Sequence, residues 1–231
     1  MKKIWLGSLH YGSLISYEDA YVFIKKLLED QFDINIDISY LYSGGEALKI
    51  VSKLCQNFPT IKVSIKYGLE KVLDKQGNWG VDISNDSKKD VEKSILSYLD
   101  YIPSSNIDSF QLHAFNKEKI QEWLSLANDL SIFNRYGCSN MSAIEAKEVI
   151  DKAKLMSLEI SIFQIHANLV EQRVLKEYLN DKIFKEVIIN RSLARGFLSD
   201  RYINGQLSKD SRINNSTRVK NSLDNKILNL L

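Results

Sequence analysis

Short strand-like runs alternate with longer amphipathic runs along most of the chain, and this alternation restricts the possible folds more than any other feature. The strand-like runs are residues 4–7, 34–39, 61–66, 108–113, 134–138, 160–164 and 186–190. Apolar residues at helical spacing fill the intervals, at 17–30, 46–54, 88–99, 117–130, 143–155 and 169–178. Parallel neighbours need a crossover of about a dozen residues, usually a helix, so the pattern predicts a mostly parallel sheet.

Seven strand-like runs favour a (β/α)8 barrel of the TIM type over an open doubly wound sheet. The first run is not followed by G-x-G-x-x-G, the phosphate-binding motif of dinucleotide folds. We therefore predict an α/β fold in which residues 1–231 form a single barrel domain. Since a complete barrel typically needs ~250 residues, the barrel either closes with a shortened C-terminal part or is incomplete, with strand eight and its helix missing.

Composition narrows the functional classes. The chain has 31 Lys and Arg against 29 Asp and Glu, so its net charge of +2 does not favour nucleic-acid binding. No window reaches the ~18 apolar residues of a membrane span, and no signal-peptide stretch is evident at the start. Two cysteines do not form a disulfide framework. From the absence of a membrane span and a signal-peptide stretch we expect a cytoplasmic protein. We expect no metal site, because the three histidines lack ligand spacing.

Four polar side chains lie at the ends of three adjacent strand-like runs: Asp37, Tyr42, Lys66 and His113. Reactive groups of such barrels are found at the carboxyl ends of the strands. A phenol has an unperturbed pKa near ~10, and a neighbouring ammonium lowers it by stabilising the phenolate. With Asp37 beside the lysine and His113 beside the phenol, the set suits protonation of a carbonyl oxygen while a hydride reaches its carbon.

These residues belong to a colinear set that resembles the aldo-keto reductases from about residue 4 to about residue 202. The set consists of Leu6-Gly7-Ser8, Asp37 and Tyr42 followed by Gly44-Gly45, Lys66, Leu112-His113, Gly137-Cys138-Ser139-Asn140, and Leu193-Ala194-Arg195-Gly196-Phe197-Leu198. The resemblance implies a (β/α)8 barrel that reduces aldehydes and ketones with NADPH. NADH is the alternative cofactor.

The resemblance also assigns roles. Tyr42 would donate the proton, Lys66 would lower the pKa of Tyr42, Asp37 would pair with Lys66, and His113 would orient a small carbonyl substrate. The positions that would bind the cofactor are Gly7, Ser8, Asp37, Ser139, Asn140, Gln164, Asn190, Arg191, Ser192, Leu193 and Arg195.

Two departures from the family leave alternatives open. The aromatic residue that stacks on the nicotinamide is replaced by Asn190 or Arg191, which fits a non-catalytic binding or regulatory protein with impaired cofactor binding. The tail aligns in two ways. In the first alignment, residues 213–219 form the loop after strand eight. In the second alignment, which we favour, the chain stops before that strand. An open barrel edge would suit a homo-oligomer. A lyase that uses Lys66 as a Schiff-base amine is a third, weaker hypothesis.

Overall fold

The computed structural model describes residues 2–73, 79–84, 87–194 and 198. The chain divides into two compact units, Met1–Phe163 and Gln164–Leu231. The assignment of residues 1–231 to a single domain stays a prediction.

Parallel strands and helices alternate, as the sequence predicts. The strands are β1 (Lys2–Gly7), β2 (Phe32–Ser39), β3 (Lys62–Tyr67), β4 (Leu69–Leu73), β5 (Trp79–Ile83), β6 (Ile107–Leu112), β7 (Arg135–Ser139), β8 (Ile160–His166) and β9 (Glu186–Asn190). The helices are α1 (Tyr17–Glu29), α2 (Glu46–Asn57), α3 (Lys88–Leu99), α4 (Ile120–Asp129), α5 (Ala143–Lys154) and α6 (Arg173–Leu179).

In the first unit, β1, β2, β3, β6 and β7 pair in parallel, each with the next. A helix lies in each crossover between them, and β4 and β5 form a separate antiparallel hairpin. In the second unit, α6 lies between the end of β8 and β9. The fold class is therefore α/β of the (β/α)8 type, as predicted. Among the described residues an eighth barrel strand does not occur, and both alignments of the tail fall on residues outside them.

Helix starts follow local side-chain chemistry. The hydroxyl of Ser16 accepts a hydrogen bond from the Asp19 N–H and forms a capping box at the start of α1. Ser142 forms the same motif with Glu145 at α5. By contrast, α6 begins later than the apolar spacing predicts, because the Asn168 carboxamide accepts from the N–H groups of residues 170 and 171 and forms a turn.

The two faces of the central strands differ in polarity. Residues 34–39 of β2 are all buried, with isoleucines on one face and Asn35, Asp37 and Ser39 on the other. On neighbouring strands the fully buried Ser109 hydroxyl and Gln111 amide both donate to the Ser64 hydroxyl, at 2.8 and 2.7 Å. Barrel interiors are mostly filled by branched apolar residues. This unit instead places a hydrogen-bonded polar layer along the strands that carry the candidate site.

Candidate active site

The carboxyl ends of β2, β3 and β6 bring the four predicted catalytic residues to one edge of the sheet. Asp37 pairs in register with Ser64, and Ser39 with Lys66. Lys66 is in turn opposite Gln111, and His113 directly follows β6. Tyr42 begins a short 3-10 turn three residues after β2.

A buried ion pair forms the centre of this cluster. The Lys66 Nζ donates to the Asp37 Oδ2 at 2.8 Å, and the two side chains are only 2% and 7% exposed. Burial alone lowers the pKa of Lys66, but the charges of Asp37 and Tyr42 and hydrogen bonds to both side chains outweigh it and raise that pKa. Lys66 is therefore a charged ammonium throughout the neutral range.

Tyr42 lies against both cationic and aromatic neighbours. It is hydrogen-bonded to Lys66, whose Nζ is 5.4 Å from the centroid of the Tyr42 ring. The imidazole of His113 meets the phenol ring edge to face, with centroids 6.2 Å apart and planes at 80°. The structure thus groups all four side chains that the sequence predicts to be catalytic.

The turn that carries Tyr42 has an unusual backbone. Ser43, Gly44 and Gly45 have φ values of 48°, 66° and 97°, and α2 begins immediately afterwards. The hydroxyl of Ser43 donates to the Leu9 carbonyl at 3.0 Å, which holds the turn against the loop after β1. In that loop Gly12 lies so close to α2 that an added Cβ would be 2.6 Å from the Glu46 Cβ.

Ser8, which the resemblance assigns to cofactor binding, contacts Asp37. Its hydroxyl and its backbone N–H both donate to the Asp37 carbonyl, at 2.6 and 3.2 Å, and Gly7 pairs with Asp37 in the sheet. Ser8 therefore fixes the backbone from which the carboxylate projects, and its role toward a cofactor stays a prediction.

Asn140 and Ser139 lie beside His113. The backbone N–H of His113 donates to the Tyr67 carbonyl at 2.6 Å, and the His113 carbonyl accepts from the Asn140 Nδ2 at 3.4 Å. Ser139 is fully buried at the end of β7, and Asn140 has a φ of 59°. The left-handed conformation at Asn140 turns the chain sharply where β7 ends.

The other predicted cofactor residues belong to the second unit. Gln164 is buried near the end of β8, and Asn190 is the last residue of β9. Arg191 has a φ of 56°. Ser192 and Leu193 are exposed, and Arg195 lies outside the described residues. Their predicted roles remain predictions.

Several buried acceptors in the first unit lack a hydrogen-bond partner among the described residues, namely the side-chain oxygens Asn35 Oδ1, Gln111 Oε1 and Asp37 Oδ1. The Asp37 Oδ1 accepts no hydrogen bond from the residues that the structure describes, although its other oxygen binds Lys66. Buried carboxylate oxygens normally accept hydrogen bonds, so this atom suits a hydroxyl donor from a bound molecule.

Within the described ranges no group of three or more His, Cys, Asp or Glu could hold a metal ion, and no helix could cross a membrane.

The same edge of the sheet also involves Tyr98, which sequence inspection did not select. Its hydroxyl contacts the backbone of both Tyr40 and Lys66. Tyr98 lies on the apolar face of α3, where an aromatic residue is an ordinary core position, so the sequence contains no signal for this contact.

The model of the Aldo/keto reductase family matches residues 3–230. The chain belongs to the aldo/keto reductase family. No curated protein matches the chain in a sequence search.

Solved structures of the family share the fold. Glycerol dehydrogenase AKR11B4 from Gluconobacter oxydans superposes with a TM-score of 0.67 and 20% identity, over 89% of this chain and 63% of that one. Aldo-keto reductase AKR11C1 from Bacillus halodurans, in its holo form, gives 0.69 and 21%, over 86% and 64%. An aldo/keto reductase from Klebsiella pneumoniae, in complex with NADP and acetate, gives 0.59 and 18%, over 94% and 71%. The chain thus spans less than two thirds of the first two relatives.

Proposed function

We propose that the protein is an NADPH-dependent oxidoreductase that reduces an aldehyde or a ketone to an alcohol, with Tyr42 as the proton donor. The observation that carries this proposal is the buried Lys66 ammonium, which is hydrogen-bonded to both the Asp37 carboxylate and the Tyr42 phenol. Family membership supports the reaction class.

The proton transfer follows from the contacts of Tyr42. The carbonyl oxygen of the substrate accepts the Tyr42 proton, and the Lys66 ammonium stabilises the phenolate that remains. Asp37 keeps Lys66 charged despite its burial. His113, edge to face with the phenol, donates to the same carbonyl oxygen and orients it. Because Lys66 and Asp37 are almost fully buried, water competes little for these hydrogen bonds.

The first unit also fits a nicotinamide cofactor. The unpartnered Asp37 Oδ1 suits a ribose hydroxyl, and Ser139 and Asn140 stand beside His113 as carboxamide partners. When bound, NADPH supplies the hydride to the carbonyl carbon. NADP is the ligand named for the Klebsiella relative, and NADH stays an alternative.

A panel of aldehydes and ketones with NADPH tests the proposal directly. We expect substrate-dependent NADPH oxidation that falls by roughly a thousandfold in Tyr42→Phe, because general acid catalysis contributes about 10²–10⁴-fold. Tyr136→Phe is the matched control, since it removes a remote hydroxyl that donates to the Ala127 carbonyl. Wild-type activity that Tyr42→Phe leaves intact would disprove the assigned mechanism.

A non-catalytic binding or regulatory protein with impaired cofactor binding is the second candidate function. Asn190 or Arg191 stands where the family has its stacking aromatic, and neither presents an aromatic face to a nicotinamide. Fluorescence titration with NADPH distinguishes the two candidates. Absence of measurable NADPH binding, with no turnover of any carbonyl in the panel, would favour this one, whereas micromolar binding would count against it. The cytoplasmic location and the homo-oligomer stay predictions.

A further inference from the structure

The hydroxyl of Tyr98 bridges the two backbone segments that carry the proton donor and its lysine. It accepts a hydrogen bond from the Tyr40 N–H at 2.7 Å and donates one to the Lys66 carbonyl at 3.1 Å. The side chain, near the end of α3, is completely buried. A buried phenol with both a donor and an acceptor contact is fully used as a hydrogen-bonding group.

Both backbone groups lie where β2 and β3 separate. The last paired residues of these strands are Ser39 and Lys66. Directly beyond this pair, the strands are joined through the Tyr98 oxygen. Tyr42 follows two residues after Tyr40. A very short segment therefore separates the backbone group that is bound to the Tyr98 oxygen from the phenol of Tyr42.

Tyr40 is held from a second direction as well. Its ring stacks on that of Tyr67, with centroids 5.8 Å apart and planes at 24°, and its hydroxyl donates to the Leu69 carbonyl. With its N–H bound to Tyr98, the residue is fixed through both backbone and side chain. The segment between β2 and Tyr42 is therefore anchored to α3 through the Tyr40 backbone and to residues 67 and 69 through the Tyr40 side chain.

The bridge also keeps its proton over a wide pH range. Burial raises the pKa of Tyr98 well above its ordinary value, and the hydrogen bond from Tyr40 only partly opposes this. The hydroxyl therefore donates to the Lys66 carbonyl throughout the range in which Tyr42 and Lys66 would act.

We infer that Tyr98 is a positioning residue that sets the distance between the Tyr42 hydroxyl and the Lys66 ammonium by holding the ends of β2 and β3 at fixed spacing. This inference rests on the proposed function, and it gives α3 a role in positioning the reacting groups. Tyr98 itself acts only through the backbone of Tyr40 and Lys66.

Tyr98→Phe tests the inference because it keeps the ring and removes only the bridging oxygen. We expect kcat to fall about tenfold or more with KM nearly unchanged, since small misplacements of reacting groups are costly. The alkaline limb of the kcat profile should also move to higher pH. Tyr136→Phe, which loses a buried hydroxyl elsewhere, should change neither quantity. Equal kcat values and pH profiles for Tyr98→Phe and the wild type would overturn the inference.

A second measurement does not depend on turnover. Tyrosine labelled with carbon-13 at Cζ reports the titration of Tyr42 by NMR, with its signal assigned by its loss in Tyr42→Phe. We expect Tyr98→Phe to raise the titration midpoint of Tyr42 by about half a pH unit or more, because the phenolate lies less well against Lys66. An unshifted midpoint in a folded variant would contradict the inference, even if the wild type reduced no carbonyl and the proposed function failed.

Tyr40→Phe supplies an independent variant if Tyr98→Phe does not fold. It removes the anchor to the Leu69 carbonyl and leaves the Tyr98 bridge in place. We expect a shift of the Tyr42 midpoint in the same direction and of smaller size. A midpoint identical to that of the wild type would show that the anchoring of this segment does not set the geometry of Tyr42.

Discussion

Lys66 and Asp37 form an ion pair at 2.8 Å in which both side chains are almost completely buried. A buried pair loses much of its attraction to the cost of desolvation, so such a pair is weak evidence for stability by itself. The third contact, from Lys66 to Tyr42, indicates a different purpose. The pair places a permanent positive charge beside a phenol, and we expect the protein to lose stability when only one partner is removed.

Asp37→Asn should destabilise the fold strongly. The change leaves the Lys66 ammonium buried without its counter-charge, which costs about 3 kcal/mol or more. Urea unfolding followed by circular dichroism measures the loss. Asp30→Asn is the control, because the Lys26–Asp30 pair is 71% and 50% exposed and should contribute only a few tenths of a kcal/mol. Similar losses in the two variants would mean that the buried pair has no special importance for stability.

Alkaline pH should weaken the wild-type protein through Lys66. Its folded pKa is raised, so its contribution to stability is complete below the unfolded pKa of ~10.4 and disappears as pH rises through the folded value. We expect the free energy of unfolding to fall above about pH 10. Lys66→Met, which has no titrating amine, should show a smaller decrease over this window. Parallel curves for the two proteins would exclude Lys66 as the source.

The fold was largely predictable from the sequence because hydrophobic periodicity reports burial directly. The run at 88–99 matches α3, and the run at 186–190 matches β9. The β4–β5 hairpin was not predicted, because both strands are only five residues long, and Leu69–Leu73 carries two charges and lacks a regular apolar face. The start of α4 shifted to Ile120 because the Asn116 carboxamide accepts from the Glu118 N–H and forms a turn first.

The clustering of the four candidate catalytic residues was predictable because the carboxyl ends of neighbouring parallel strands meet at one edge and because the order of these residues is shared with a known family. The bridge through Tyr98 was not, since it depends on how α3 packs against the ends of β2 and β3. Long-range side-chain contacts of this kind span 58 and 32 residues in the chain. Local propensity contains no information about them.

Gly12→Ala should destabilise the contact between the first loop and α2. The residue has a φ of 81°, and an added Cβ would lie 2.6 Å from the Glu46 Cβ, so strain and steric clash together cost about 1–3 kcal/mol. Thermal unfolding provides the measurement. Gly7→Ala is the matched control for stability, because nothing lies within 4 Å of its added Cβ. An unchanged melting temperature in Gly12→Ala would show that the loop does not pack as described.

Ser64→Ala should cost more stability than Ser109→Ala. The Ser64 hydroxyl accepts from both Ser109 and Gln111, so its removal leaves two buried donors without that acceptor. Ser109→Ala leaves the bond from Gln111 to Ser64 in place. An unsatisfied buried donor costs about 1–3 kcal/mol, and we expect Ser64→Ala to lose at least 1 kcal/mol more than Ser109→Ala in urea unfolding. The reverse order would imply that the polar layer is arranged differently from the hydrogen bonds seen here.

The two thiols should be unreactive in the native protein. Burial raises the pKa of Cys55 to about 12 and that of Cys138 further still, and the thiolate is the nucleophilic form. Ellman's reagent at pH 8 should therefore label neither cysteine within minutes, and both should react at once in guanidinium chloride. If one thiol is labelled in the native protein, the Cys138→Ser variant shows whether that thiol belongs to Cys138 or to Cys55. Rapid labelling of Cys138 in the native protein would mean that the end of β7, and with it the backbone leading to Ser139 and Asn140, opens readily to solvent. Such opening is incompatible with a rigid platform beside His113, so this measurement also tests the geometry on which the proposed cofactor contacts of Asn140 depend.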